Sequence, residues 1–420
     1  MSGPDGPGVP DAPSVPGVPG ASQAPSVSGV SGVPGAPQAP SVSGVPGVPA
    51  VPALPAQGYA TLPFEALRER PGIGAAAPDS TPGGWHLPWD RLGGAEAARV
   101  RGRLLAGEYE FHTSGTGGEP VRRCVLTGEQ LRADAAHGAR LLAPYAPEAV
   151  VSFVPTRHVY GASATLMLPA LTGLPVWFWP AFDGPPPPVT ARRIAVVAIP
   201  WTFRILARYP RWTASFEHIV FLHGSAELPP EAQRFRDDAR TALVELLGST
   251  ETGAVAHRSG WEPDGPWTLL DDVTFAAPGV GAEGPLAVAG PRLAALPDGG
   301  RPAHHEMDDL VRRLGDRLFL RRGRRAHLIR ANGIRHDLGA IAARLRAALP
   351  GADVACVRAA DRAEGEAYDV LVAGGGPLTA EGVRAAARGL GAEPRRVRLV
   401  DRIPRGPLGK PLAPPPEPSA

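Results

Sequence analysis

Four short apolar runs in the middle of the chain constrain its fold most. AVVSFVPT (Ala149 to Thr156), RIAVVAIP (Arg193 to Pro200), HIVFLHG (His218 to Gly224) and ALVELLGST (Ala242 to Thr250) are unbroken and rich in β-branched residues. Each is short for a buried helix and lacks the alternation of a half-exposed strand, so each reads as a strand covered on both faces. Between them, TGEQLRADAAHGARLLAPY and LPPEAQRFRDDART read as amphipathic helices. Strand and helix in alternation predict an α/β fold, a mostly parallel sheet with flanking helices. A ligand site belongs beyond the carboxyl ends of its strands.

A different pattern starts near Arg321. AHLIRANGIR reads as a strand and turn, and HDLGAIAARLRAALP places Leu338, Ile341, Ala342, Leu345 and Leu349 on one helical face. Two strands follow in DVACVRAA and AYDVLVAGG, then a helix in TAEGVRAAARGLG and a strand in RVRLVDRI. This predicts a small α+β domain over 322–420 behind a large domain over 57–321. Residues 1–56 cycle through Pro, Gly, Val, Ser and Ala and read as a disordered tail, since proline blocks both helix and ladder and there is nothing large to bury.

Composition narrows the function. With 43 basic and 41 acidic residues the net charge is +2, too weak a field to argue for nucleic acid or an anionic membrane. No run reaches the roughly 18 apolar residues of a membrane span, and two distant cysteines match no metal spacing or disulfide framework. A reduced, cytoplasmic setting and a small-molecule or protein partner are expected. Among 43 basic residues a single one, Lys410, is lysine. It stands in PRGPLGK, on the loop leaving the last predicted strand.

Three stretches carry chemistry. FHTSGTGGEP (Phe111 to Pro120) is a Gly/Ser/Thr-rich loop able to wrap backbone N–H groups around phosphates, or else a surface turn. In LLGSTETG a buried strand runs into a turn carrying Glu251, a carboxylate placed to hold Mg²⁺ on nucleotide phosphates, or else a residue in the first turn of a helix capped by Thr250. In VPTRHVYGASAT, His158 follows a strand and precedes small residues that leave room for a ligand.

Taken in order, HTSGTGGEP, RHVYG, LHGSAELPP, LLGSTETG, the DDL at 308–310, RGRRAHLIRANGIR and PRGPLGK resemble the successive motifs of the adenylate-forming superfamily, the AMP-dependent acyl- and aryl-acid ligases, in a compact and divergent form. The resemblance implies a large domain and a small mobile one, with ATP, Mg²⁺ and a small carboxylic acid between them. It implies that Thr113, Ser114, Gly115, Thr116 and Gly118 form the phosphate loop, and that Gly224, Ser225 and Ala226 line the adenine and acyl pocket. Gly248, Ser249, Thr250 and Glu251 would meet the phosphate and the metal, Asp309 the ribose with Arg324 nearby, and Lys410 the reacting carboxylate. The acceptor implied is a thiol, of CoA or of a phosphopantetheinyl carrier protein. Four positions depart from the pattern. Val121 stands for the loop lysine, Leu247 for the adenine-stacking aromatic, Met307 and Asp308 for Thr-Gly, and Ala326 for the hinge side chain.

The acid is expected to be aryl or acyl. Amino-acid-activating relatives place an aspartate just after the strand ending at Pro155, and none occurs from Thr156 to Thr165. A free ammonium would be buried without a partner. His158 is the residue type that acyl- and aryl-CoA ligases carry there, with Tyr160, Gly161, Ala162 and Ser163 and a rim at Trp177 and Phe178 shaping the pocket. The alternative expectation is a ligase-like protein that binds nucleotide or acyl ligand without turnover.

Overall fold

The computed structural model describes residues 60–61, 84–112, 123–179, 184–224, 227–262, 264–295, 299–331, 334–361, 365–374, 376–390, 393–405 and 411. The chain divides into Met1–Ala53 and Leu54–Ala420, and every described residue falls in the second unit. The expected tail lies outside the described residues.

The α/β class is what the chain adopts. In order, the strands of the large sheet are β1 (Ala60–Thr61), β2 (Trp85–Leu87), then, after a separate hairpin of β3 (Glu108–His112) and β4 (Arg123–Thr127), β5 (Ala149–Ser152), β6 (Val176–Phe178), β7 (Arg193–Ala198), β8 (His218–His223), β9 (Thr241–Ser249), β10 (Gly253–Ser259), β11 (Trp267–Leu269), β12 (Thr274–Ala277), β13 (Glu283–Ala289), β14 (His305–Arg313) and β15 (Leu318–Arg324). They form one sheet of 13 strands in the order β1-β2-β6-β5-β7-β8-β9-β10-β11-β15-β14-β13-β12. From β6 to β9 every pairing is parallel, and from β9 to β12 every pairing is antiparallel. The four apolar runs supply four of the five strands of this parallel half, β6 being the fifth.

Burial on both faces explains those runs. In β5, Val150 packs into one apolar cluster while Ala149 and Val151 pack into another on the opposite face. Phe203, Phe221, Phe235 and Trp261 interlock on that second face, with Phe203 and Phe221 ring centres 5.0 Å apart. Truncating a ring such as Phe203 costs about 3–5 kcal/mol by loss of transfer energy and creation of a cavity.

The first predicted helix forms as Gly128–Leu142, started by a capping box in which Thr127 Oγ1 accepts from the Gln130 amide at 3.2 Å and Gln130 Oε1 accepts from the Thr127 amide at 2.9 Å. The second is shorter than expected, a 3-10 turn at Pro230–Ala232 running into Gln233–Arg236. The Asp238 carboxylate there takes the Arg240 amide at 3.0 Å, offering the backbone a turn in place of further helix.

The C-terminal part carries its own small sheets. β16 (Leu328–Ala331) and β17 (Ile334–Asp337) form a hairpin, while β18 (Ala352–Asp361), β19 (Gly365–Gly374) and β20 (Arg396–Leu399) form a three-stranded sheet. The helix Leu338–Ala348 buries Leu338, Ile341, Ala342 and Leu345, and Leu338, Ile341 and Leu345, with Leu349 beside them, pack into a cluster with Val354, Tyr368 and Val370. Among the described residues no helix is long and apolar enough to cross a membrane. Cys356 in β18 is a free thiol.

Candidate active site

The carboxyl ends of β5, β7, β8 and β9 lie side by side, with Ala198 opposite His223 and His223 opposite Glu245. Beyond β5 the chain turns through Pro155 into a helical segment starting at Val159, and His158 stands half-buried at its start. Tyr160 ties this segment to the neighbouring strands. Its hydroxyl donates to the Leu222 carbonyl at 2.5 Å, and its ring occupies the space a side chain on Gly224 would need, 3.2 Å from a built Cβ. Burial pushes the Tyr160 phenol far above its ordinary range, so it is a permanent donor. The following residues, Ala162–Met167, run as a π-helical turn pinned by Thr165 Oγ1, which donates to the Val154 carbonyl at 2.9 Å. Ala162 and Ser163 are thereby buried. Trp177 and Phe178 do not form a rim: they stack on His86 at 3.8 Å and Trp85 at 5.2 Å, and Phe178 is core.

Glu251 sits in the loop of the β9–β10 hairpin, so the open choice between turn and helix resolves as a turn. Ser249 pairs with Gly253, and Gly253 has φ +64°, a conformation that favours glycine. Gly248 lies so close beneath this turn that a Cβ would meet the Gly253 carbonyl oxygen at 2.2 Å. Within the loop, Thr252 Oγ1 accepts from the Ser249 amide at 3.1 Å, and Ser249 Oγ accepts from the Glu251 amide at 3.2 Å. Thr250 and Glu251 are left half-buried at the turn's crest. Leu247 packs into an apolar cluster with Val255 and Trp267.

Asp309 lies in β14 opposite Arg324 in β15 and is 1% exposed. It accepts from Arg321 Nε at 2.7 Å and from Arg324 Nε at 3.2 Å. Burial alone would raise its pKa, but the two guanidiniums outweigh that and hold the carboxyl below the usual range. Arg321 Nη1 also lies 3.8 Å from Glu227, the residue after the expected Gly224–Ala226 pocket segment. The sheet therefore curls so that the β14–β15 end meets the loop after β8.

Of the described members of the expected set, Tyr160 brings the His158 segment against Gly224, Arg321 links the loop after β8 to Asp309 and Arg324, and Gly248, Ser249, Thr250 and Glu251 share the β9–β10 hairpin. Thr113, Ser114, Gly115, Thr116, Gly118, Ser225, Ala226 and Lys410 lie outside the described residues, as does the departure at Val121. Ala326 lies in the helical turn Arg325–His327 that follows β15. The donor set suits a nucleotide with Mg²⁺, because Thr250 and Glu251 offer hard oxygen and Mg²⁺ is usually held by one or two carboxylates plus substrate phosphates. Among the described residues no cluster of three or more His, Cys, Asp or Glu is arranged to hold an ion by itself.

Three ionic groups, two of them buried, escaped the sequence reading. His223, Glu245 and Arg258 form a ladder across β8, β9 and β10, with Nδ1 to Oε1 at 3.5 Å and Oε2 to Nε at 2.5 Å. A glutamate inside an otherwise apolar strand was the available signal, since a buried charge demands a partner. Asp353 in β18 takes Arg405 at 2.7 Å and Arg204 at 3.4 Å, and both guanidiniums lie over the Trp201 ring. Arg292, 3% exposed, sits between Asp134 and Asp272.

Residues 109–283 match the profile of the AMP-binding enzyme family. The fold is that of ATP-bound MatB from Rhodopseudomonas palustris (TM-score 0.56, 21% identity, covering 72% of this chain and 66% of that one). It is likewise that of o-succinylbenzoate CoA synthetase (MenE) from Bacillus subtilis in complex with the acyl-adenylate OSB-AMP (0.55, 18%, 72% and 67%). The anthranilate CoA ligase AuaEII in complex with anthranoyl-AMP is similar too (0.58, 13%, 73% and 66%). The match spans just under two thirds of the MatB chain. No curated protein matches this chain. The profile match covers residues 109–283, and beyond it the likeness to these ligases is one of fold.

Proposed function

We propose that this chain is an AMP-forming acid–thiol ligase acting on an aryl or acyl acid, not a free amino acid. A carboxylate oxygen of the acid attacks the α-phosphorus of ATP, the bond to pyrophosphate breaks, and the acyl-adenylate forms. A thiolate of CoA or of a carrier protein then attacks the acyl carbon and AMP leaves.

The observation that carries this reading is the Glu251 hairpin, which follows the carboxyl end of β9 within the residues that match the AMP-binding enzyme family. In that reading Glu251 and Thr250 would be the residues that hold Mg²⁺ with the nucleotide, and the chemistry it would supply is neutralisation of phosphate charge ahead of the incoming carboxylate. Thr113, Ser114, Gly115, Thr116 and Gly118 cradle the phosphates, and Gly224, Ser225, Ala226, Gly248 and Ser249 border adenine and acyl group. His158 faces the acid. Asp309 takes the ribose once Arg321 or Arg324 turns away from it. Lys410 places a compact ammonium where two anions must meet, stabilising the transition state more than the separated reactants. Arginine's planar fork is a poor substitute at that point.

The test is acid-dependent exchange of labelled pyrophosphate into ATP across a panel of aryl, enoyl, fatty and amino acids. Exchange with an aryl or acyl acid alone is expected. Exchange confined to amino acids, or absent with every acid while nucleotide still binds, rejects the assignment.

A further inference from the structure

Arg292 is more thoroughly held than any described residue expected to touch substrate. Its Nε and Nη2 donate to the two oxygens of Asp272 at 2.7 and 2.9 Å, and Nη1 donates to Asp134 Oδ1 at 2.5 Å. The fork is planar and bidentate, the geometry in which arginine–carboxylate pairing is strongest. His137, itself buried, places Nε2 at 2.9 Å from Asp272 Oδ1, while its Nδ1 lies 2.6 Å from Arg140 Nη2. A guanidinium only donates, so Nδ1 accepts and the proton sits on Nε2, facing Asp272. Burial alone would raise Asp272, yet the hydrogen bonds from His137 and Arg292 hold it well below the usual carboxylate range.

What this group does is visible in the backbone on either side of it. Asp134 Oδ1 also accepts from the Ala254 amide at 2.8 Å, at the foot of the Glu251 hairpin. Two residues after Arg292, the Ala294 amide donates to the carbonyl of Glu251 itself at 2.8 Å. The next residue, Ala295, pairs with Val125 in β4, the strand that follows residues 113–122. Gln130 Nε2 donates to the carbonyls of Pro291 and Leu293 at 3.1 and 3.0 Å, seating the segment from the other side. The segment 291–295 is therefore a strap joining the hairpin of Glu251 to the strand that closes the expected phosphate loop, and Arg292 is the pin that fastens it.

We infer that Arg292, clamped by Asp134 and Asp272, is a positioning residue that sets Glu251 in register with the outgoing strand of the phosphate loop by way of the Ala294 amide. This rests on the reading of Glu251 as the metal carboxylate. Arg292 does not touch substrate. It acts through the Glu251 backbone, and displacement of a site group by about 1 Å costs on the order of 10²-fold in rate.

The experiment compares the wild-type chain with Arg292→Lys, which keeps the charge and loses the fork, and Asp134→Asn, which keeps an acceptor for Ala254 and loses the charge. Amide hydrogen exchange without substrate reads the strap directly. Exchange at Ala254 and Ala294 is expected to rise at least about tenfold in both variants while the Phe203–Phe221 core stays protected. In pyrophosphate exchange, KM for Mg²⁺–ATP should rise about tenfold or more, with KM for the acid unchanged. Unchanged protection at Ala254 and Ala294 in a folded variant overturns the inference, as does a uniform loss in kcat with no change in KM for Mg²⁺–ATP. Failure of both variants to fold also overturns it, assigning the group to stability alone. Absence of exchange activity in the wild type would sink the ligase reading instead, and the amide measurement would still decide the strap.

Discussion

Arg321 Nε donates to Asp309 Oδ1 at 2.7 Å, and Nη1 of the same side chain stands 3.8 Å from Glu227. One guanidinium thus bridges the antiparallel half of the sheet to the loop leaving its parallel half. Asp309 is fully enclosed, so removing Arg321 strips a buried carboxylate of one of its two cations. Arg321→Met is expected to destabilise the fold by about 3 kcal/mol, the low end for breaking a buried ion pair, because Arg324 remains. Urea unfolding checks the value. A change under about 1 kcal/mol would mean that Arg324 suffices.

Glu251→Gln is expected to leave the melting temperature within a few degrees, since the hairpin is held by Ser249, Thr252 and the Ala294 amide rather than by the carboxylate. The same variant should need substantially more Mg²⁺ for half-maximal pyrophosphate exchange. Identical Mg²⁺ titrations for the two proteins would remove Glu251 from the metal.

Lys410→Ala should lower acid-dependent pyrophosphate exchange by on the order of 10² to 10³, the usual loss when one preorganised charge at a transition state is removed. Lys410→Arg should recover part of it. Thiol transfer from a supplied acyl-adenylate should change much less. Full exchange activity in the alanine variant would show that the single lysine plays no part in adenylation.

His257 in β10 gives a pH dependence with a definite sign. Burial lowers its proton affinity from the ordinary value of 6.5, and the nearby Arg317 charge adds to the effect. The folded chain therefore holds it neutral while the unfolded chain binds a proton below about pH 6.5. Its contribution is fully present above that pH and is lost as pH falls towards the folded value. Thermal unfolding between pH 5 and 8 should show this slope, and His257→Gln should flatten it. An equal slope in the variant would assign the dependence to other groups.

The parallel half of the sheet was legible because β5, β7 and β8 are buried on both faces and announce it with continuous Val, Ile and Ala. The antiparallel half was not, because strands such as β12, exposed at Thr274, Ala276 and Ala277, alternate too weakly to separate from loops. Among candidate site residues, the turn carrying Glu251 was legible through local turn chemistry, which a few adjacent residues specify. Arg292 could not be found that way. Its partners Asp134 and Asp272 lie 158 and 20 residues away, and nothing in GPRLAAL signals that the arginine turns inward. Trp177 and Phe178 were misassigned as a pocket rim for a related reason: an aromatic pair on a short strand looks the same from the sequence whether it faces a ligand or, as here, Trp85 and His86.

The change from parallel to antiparallel pairing at β9 also divides the sheet by how far each contact must travel along the chain. In the antiparallel part, β13, β14 and β15 are neighbours in both sequence and space, whereas joining β5 to β6 and to β7 closes loops through intervening helices. Loop closure over long separations is the slow part of acquiring a native topology. The β13–β14–β15 meander is therefore expected to gain amide protection first during refolding, with β5 and β7 following once their crossovers close. The Glu251 hairpin sits at the boundary, so the site would be completed only when the late half docks onto the early one, and regained activity after denaturation should follow protection of β5 rather than that of β14.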